Sequence, residues 1–330
     1  MYKKIMLLIL CLIFAMSCSS PSSPDGTNQG DIVNGGGSGS DGGNSGSGGD
    51  SGNTGDGGST GGEPWTPIEP PLMPPVPILD AEAMEYGIDI SQDDAKIKEQ
   101  IRTKLQKYRQ VHGYGKDKVI FIGTPKKQYA QRNSLARLVL QVAQELSASE
   151  ITIDATKIYF NERKIKSYMF HGGGGISLGY FNFKFIFPES SIRVIEGNAF
   201  SFLNNYLREI KIPDSVIGIK AAAFQADEVL KTITFTENSK LEYIGDYAFS
   251  YAIAKEILIP ASVKLIGKSP FGNSLTTVTY LGTSPNAISH SGNVFPSTAK
   301  TLILPNVADP KFDEWKNFLG GNFTEVKQHK

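Results

Sequence analysis

The sequence predicts an α/β solenoid of short parallel strands. A helix–strand–helix–strand unit caps its N-terminal end and a short helical segment caps the other. Three observations carry this. A six-residue element that opens with Ile and closes with Phe returns at Ile165–Phe170, Ile195–Phe200, Ile219–Phe224, Ile244–Phe249 and Ile266–Phe271, and Phe295 extends the series without the Ile. An alternating apolar element follows each Phe, at Leu207–Pro213, Leu230–Phe235, Lys255–Pro260, Leu275–Tyr280 and Thr301–Pro305. Ahead of the repeats, two helical patterns alternate with two short apolar runs. The phenylalanines are separated by 30, 24, 25, 22 and 24 residues, and a period of about 20–29 residues is that of a leucine-rich-repeat solenoid.

From the N-terminus, Lys3 and Lys4 precede an apolar run from Ile5 to Met16. The run is too short to span a bilayer, which takes ~20 residues, and it fits the core of a secretory signal. Ala15-Met16-Ser17-Cys18 ends it, and a small residue just before a cysteine at this point resembles a bacterial lipoprotein signal, although Ala15 stands where that family usually has Leu. The resemblance implies cleavage after residue 17 and lipidation of Cys18. Residues 18–78 are Gly, Ser and Asp rich and then Pro rich, with too little apolar surface to offset the entropy of ordering them. They read as a disordered tether with a root-mean-square reach near ~40 Å, stiffening toward polyproline II between Glu63 and Pro77.

Residues 79–160 form the expected N-terminal cap. Ile97, Ile101, Leu105 and Tyr108 lie on one face of a helix, with Ser91 as its N-cap and Gly113 as its stop. Val119–Ile122 reads as a strand, Leu135–Leu146 as a helix capped by Asn133 or Ser134, and Ile151–Asp154 as a second strand. Strand, helix and strand with short joints make a βαβ unit with parallel strands. It is expected to run into the repeats as an enlarged first coil, because an uncapped first repeat would expose its core.

Residues 161–307 hold the repeats. Alternation puts Ile210 and Ile212, or Ile257 and Ile259, on one strand face. The Pro that often follows lacks an N–H for the ladder and closes the strand. One coil alone could not bury its Ile and Phe, whereas stacked coils bury them against their neighbours. Residues 308–330 read as the closing cap, with Asp309-Pro310 as N-cap and first turn, then Phe312, Trp315 and Leu319 at helical spacing.

The pattern Leu-x-x-Ile-x-Ile-Pro-x-Ser-Val-x-x-Ile-x-x-x-Ala-Phe, read from Leu207 to Phe224, is similar to the BspA-like, treponemal class of leucine-rich repeats. The match covers residues 160–305. It departs from the family in having no Cys after the Phe. The resemblance implies a non-enzymatic surface protein that binds other proteins, with adhesion to host matrix proteins or other bacteria as the expected role.

Composition excludes several other classes. Both cysteines, Cys11 and Cys18, lie in the leader, which removes disulfides, Cys-ligated zinc and thiol catalysis from the head. His112, His171, His290 and His329 show no metal-ligand spacing and read as solvated or loop residues. The run His171–Gly175 lacks the Lys of a phosphate loop and reads as a bulge or long loop. No nucleophile elbow or carboxylate pair stands out, so neither catalysis nor a cofactor is expected. The 33 basic and 33 acidic residues balance overall, and an excess of about six positive charges remains beyond residue 80. Scattered basic residues behind an export signal argue against nucleic acid.

What remains is surface. The residues alternating with the buried positions form an outward stripe: Glu209, Lys211, Thr232, Thr234, Glu256, Leu258, Thr277, Thr279 and Ile303. Five strands at ~4.8 Å spacing make a strip ~20 Å wide, and repeat proteins bind along such strips. The chain thus reads as a membrane-anchored lipoprotein of the outer membrane or cell surface, displaying a repeat head to a protein ligand. The alternative is a periplasm-facing scaffold or assembly lipoprotein with no adhesin role.

Overall fold

Six phenylalanines stacked ring on ring form the spine of the molecule. Phe170, Phe200, Phe224, Phe249, Phe271 and Phe295 follow one another at centroid separations of 5.3, 4.7, 5.0, 6.4 and 5.9 Å, with neighbouring planes within 18° of parallel. The computed structural model describes residues 65–67 and 72–329. The leader, Cys18 and most of the tether lie outside the described residues.

The elements, in chain order, are α1 Ala81–Tyr86, β1 Gly87–Asp89, α2 Asp94–His112, β2 Lys118–Gly123, α3 Leu135–Glu145, β3 Glu150–Ile158, β4 Lys164–Ile165, β5 Asn182–Ile186, β6 Val194–Ile195 and β7 Glu209–Lys211. Then come β8 Gly218–Ile219, β9 Thr232–Thr234, β10 Tyr243–Ile244, β11 Glu256–Ile259, β12 Leu265–Ile266, β13 Thr277–Tyr280, β14 Ser289–His290, β15 Thr301–Ile303, α4 Phe312–Trp315 and β16 Glu325–Lys327. Among the described residues every strand pairing is parallel, as a solenoid requires. One series runs β1–β2–β3–β5, then β7–β9, then β11–β13–β15–β16, and a second, six-stranded sheet runs β4–β6–β8–β10–β12–β14. The two extended elements of each repeat therefore line two different sheets, with the Phe at the corner between them.

A single hydrophobic cluster runs from Ile88 to Phe323, so the βαβ unit shares its core with the coils. Helix α2 buries Ile97, Ile101, Leu105 and Tyr108 on one face and stops at Gly113, whose φ of +87° suits glycine. Its N-cap is Asp93, which accepts from the Lys96 N–H, and not Ser91. The Ser91 amide is held in a turn by the Asp89 carboxylate at 2.9 Å, which leaves the cap to the next acid. Ser134 caps α3 by accepting from Arg137 N–H, and the Asn133 side chain accepts from Ala130 N–H instead. The end of α2 is fixed by a buried ion pair in which Arg109 Nε donates to Asp117 at 2.6 Å and Nη1 donates to Leu146 O at 2.9 Å.

Four features differ from the sequence reading. Strands β1 and β5 extend the first sheet at both edges of the βαβ unit, each too short or irregular to show a period of its own. The expected C-terminal helix is a single turn, α4, with Lys311 and not Asp309 at its N-cap position. Past it the chain turns back as β16 and adds to the ladder beside β15. The third concerns His171, which is 2% exposed and not solvated. The rings of Tyr168 and Phe202 lie against it at 5.4 and 5.3 Å, and Gly173 N–H donates to its Nδ1 at 2.8 Å. The glycine run is a loop folded over this ring, its Gly173 carbonyl receiving Arg137 Nη1 at 2.9 Å.

The fourth is the Pro-rich segment. Trp65 stacks on Tyr243 of the six-stranded sheet, with centroids 5.3 Å apart and planes 18° from parallel. The ring occupies the notch left by Gly218, where a Cβ would come within 2.4 Å of it. Pro74 is buried and Pro77 half-buried, three residues apart as one edge of a polyproline II helix requires. Arg163 Nη1 donates to Leu72 O at 3.1 Å and Lys157 Nζ to Ile78 O at 3.0 Å. The described part of this segment lies on the head.

Candidate functional site

Strands β7, β9, β11 and β13 each set a buried residue between outward neighbours. In β7 the buried residue is Ile210, flanked by exposed Glu209 and Lys211; in β9 it is Ile233, flanked by exposed Thr232 and Thr234. The ladder holds these flanks in rows. Glu209 pairs with Thr232 and Lys211 with Thr234. Glu256 pairs with Thr277, Leu258 with Thr279, and Thr279 with Ile303. The ladder thus holds four residues of the stripe in register on β7–β9 and the other five in register on β11–β13–β15.

Their exposure differs. Glu209, Lys211, Thr232, Thr234 and Glu256 are exposed, whereas Leu258, Thr277 and Thr279 are half-buried. Ile303 is 4% exposed, which corrects its place in an outward stripe. It sits between Thr279 on one side and Lys327 of β16 on the other, so the unforeseen last strand shelters it. Leu258 packs on the core from its half-buried position.

The ladder is interrupted between β9 and β11. The Leu that stands three residues before the buried strand Ile, as at Leu207 and Leu230, is Ala254 in this coil. A void of about 10 Å³ lies among Ile233, Phe249, Ala254, Ile257 and Leu275. Ile253 N–H donates to Leu230 O at 2.9 Å, which ties the coils together ahead of the strands. Over this interruption the sheet carries a cleft of about 940 Å³. Its apolar lining includes Phe235, Ile253, Leu258, Ile303 and Pro305, and its polar lining includes Lys231, Thr232, Thr234, Glu256, Thr279 and His329.

Of the stripe, the cleft gathers Thr232, Thr234, Glu256, Leu258, Thr279 and Ile303, while Glu209, Lys211 and Thr277 lie outside it. Lys211 pairs instead with Glu189 at 3.3 Å, both side chains exposed, a contact worth ~1 kcal/mol or less. Phe235, Ile253, Pro305 and His329 were not singled out by the sequence. The available signal was Ala254, a small residue in a Leu position between Leu230 and Leu275.

Such a lining, mostly apolar with a few hydroxyls and mixed charges, suits a polypeptide surface and carries no catalytic constellation. Among the described residues no cluster of His, Cys, Asp or Glu could hold a metal. No described helix is long and apolar enough to cross a membrane.

Parallel strands in register, a repeat of two short extended elements, and a stacked Phe in each corner define a leucine-rich-repeat solenoid. Its repeats are of the BspA type: residues 163–299 match the BspA type leucine rich repeat region in six copies. Two solved structures are similar over 55% of this chain. One is the pneumococcal vaccine antigen PcpA, 23% identical with a TM-score of 0.35 over 47% of that chain. The other is a leucine-rich repeat protein of Bacteroides ovatus, 20% identical with a TM-score of 0.30 over 63% of that chain. The match thus spans about half of the first and under two thirds of the second. No curated protein resembles the chain closely enough to count as a match.

Proposed function

We propose that this chain is a lipid-anchored envelope protein whose repeat face binds a protein partner, serving adhesion to host matrix proteins or to other bacteria. The observation that carries the binding reading is the coincidence of the outward stripe with the cleft at the ladder interruption. A strip of outward threonines beside a sheltered apolar floor offers both complementarity and buried area, which a plain solvated sheet face does not. The other sheet is less available, since Trp65 of the same chain covers Gly218 and Tyr243. Lipidation at Cys18 rests on the leader sequence, and two or three acyl chains give a stable anchor.

The test uses the mature chain against immobilised matrix proteins. Leu258→Asp, a charge placed in the half-buried floor, is expected to weaken capture at least about tenfold, while Lys211→Ala, outside the cleft, leaves it within about twofold. Equal capture by parent and Leu258→Asp would remove the cleft from the interface. Cys18→Ala is expected to move the protein to soluble fractions. Digestion of the head on intact cells supports surface display, and its survival beside digested surface controls favours the periplasm-facing scaffold.

A further inference from the structure

The positions two residues before the first five spine phenylalanines, and two residues after Phe200, Phe224 and Phe249, turn through left-handed backbone. Tyr168, Asn198, Ala222, Tyr247 and Ser269 hold the first at φ of +60°, +58°, +56°, +57° and +45°, and Phe202, Ala226 and Tyr251 hold the second at +60°, +61° and +72°. The turn itself favours small or Asn-like residues there, and the neighbouring coils mostly comply. The coil of Phe249 alone carries Tyr at both positions. Neither ring packs against another aromatic ring among the described residues, and Tyr247 and Tyr251 are 38% and 64% exposed. The rings at the equivalent positions in earlier coils, Tyr168 and Phe202, pack instead on the buried His171.

The two tyrosines line a groove of about 430 Å³, within the ~300–1,000 Å³ range of small-ligand sites. Gln225 from the preceding coil and Ser269, Asn273 and Ser274 from the following one complete its polar lining, and no charged residue contributes. Among the described residues the side chains of these four make no hydrogen bond, so their amide and hydroxyl groups are uncommitted. Ser250 also lines the groove. It is 8% exposed, and its hydroxyl is buried without a hydrogen-bond partner. Ile253 lines both this groove and the larger cleft, so two sites adjoin at one coil.

We propose that the groove of Tyr247 and Tyr251 is a binding site for a neutral saccharide. Sugar rings present an apolar C–H face and an edge of hydroxyls. Exposed aromatic faces match the first, and paired amide and hydroxyl groups, each able to donate and accept, match the second. A phosphate, sulfate or carboxylate ligand would need a cation, which the lining lacks.

The full chain is probed by saturation-transfer NMR with lactose, maltose, cellobiose and N-acetyllactosamine, beside sialyllactose and a Pro-rich peptide. At least one neutral sugar is expected to bind with a dissociation constant on the order of millimolar. Tyr251→Ala and Gln225→Ala weaken it about tenfold, and Tyr251→Phe, which keeps the ring face, holds it within about twofold. Leu258→Asp leaves sugar binding unchanged, which separates this site from the protein-binding cleft. Transfer to none of the neutral sugars overturns the assignment. So does undiminished binding by Tyr251→Ala, or binding of only the acidic sugar or the peptide.

Discussion

His171 and Asp227 show what burial does to single residues in this solenoid, with opposite signs. Burial, with the Arg137 charge adding to it, pushes the imidazole down to about 4. The unfolded chain takes up this proton near the ordinary value of about 6.5, so the folded state loses relative stability as pH falls from about 6.5 to about 4. The loss approaches ~1.4 kcal/mol per pH unit. Urea melts across that window check it, and His171→Phe flattens the slope. Asp227 is fully buried, and burial raises its carboxyl well above the ordinary range, opposed only by the Leu203 N–H that it accepts at 2.9 Å. There the unfolded chain ionises first, so stability is fullest below about 3.8 and declines as pH rises. Asp227→Asn keeps the Leu203 bond and removes the ionisation. It is expected to melt later than the parent near neutral pH, with the margin closing toward pH ~4.

At the scale of the element, the spine and the Pro-rich segment make separate predictions. Phe224 and Phe249 are fully buried, each stacked between two neighbours of the same kind. Replacing either by Ala removes ~3–5 kcal/mol of stability. Phe224→Ala is expected at the upper end, because its neighbours lie at 4.7 and 5.0 Å against 5.0 and 6.4 Å for Phe249. Denaturant midpoints give the order. Trp65 rests on Tyr243 and on the bare backbone of Gly218. Trp65→Ala and Gly218→Val are each expected to release the Pro-rich segment to protease while leaving the melting of the core within about 1 kcal/mol. The buried Trp315 supplies the fluorescence reference for the core.

For the whole molecule, the repeat pattern was enough to place the coils. The recurring Ile-to-Phe spacing and the alternating element recur as strands on two sheets, because each coil alone leaves its apolar residues exposed and only stacking in register buries them. The outward stripe was legible for the same reason: a period of two allows one set of neighbours for each buried residue. The cleft was not. It depends on Ala254 leaving a coil short of side-chain volume, on the ladder parting between β9 and β11, and on the terminal strand that shelters Ile303. These are relations between residues about 20 or more positions apart.

The same division runs through the rest of the chain. By itself the sequence determined the class of solenoid, its period, the βαβ unit before it and the absence of cysteine chemistry from the head, since each follows from local periodicity or composition. Only the tertiary structure decided that His171 is buried, that Trp65 lies on the six-stranded sheet, and that Tyr247 and Tyr251 meet Gln225 and Asn273 in one groove. Stacking brings together residues that are far apart in the chain, and no period records which odd residue in one coil will face which in the next.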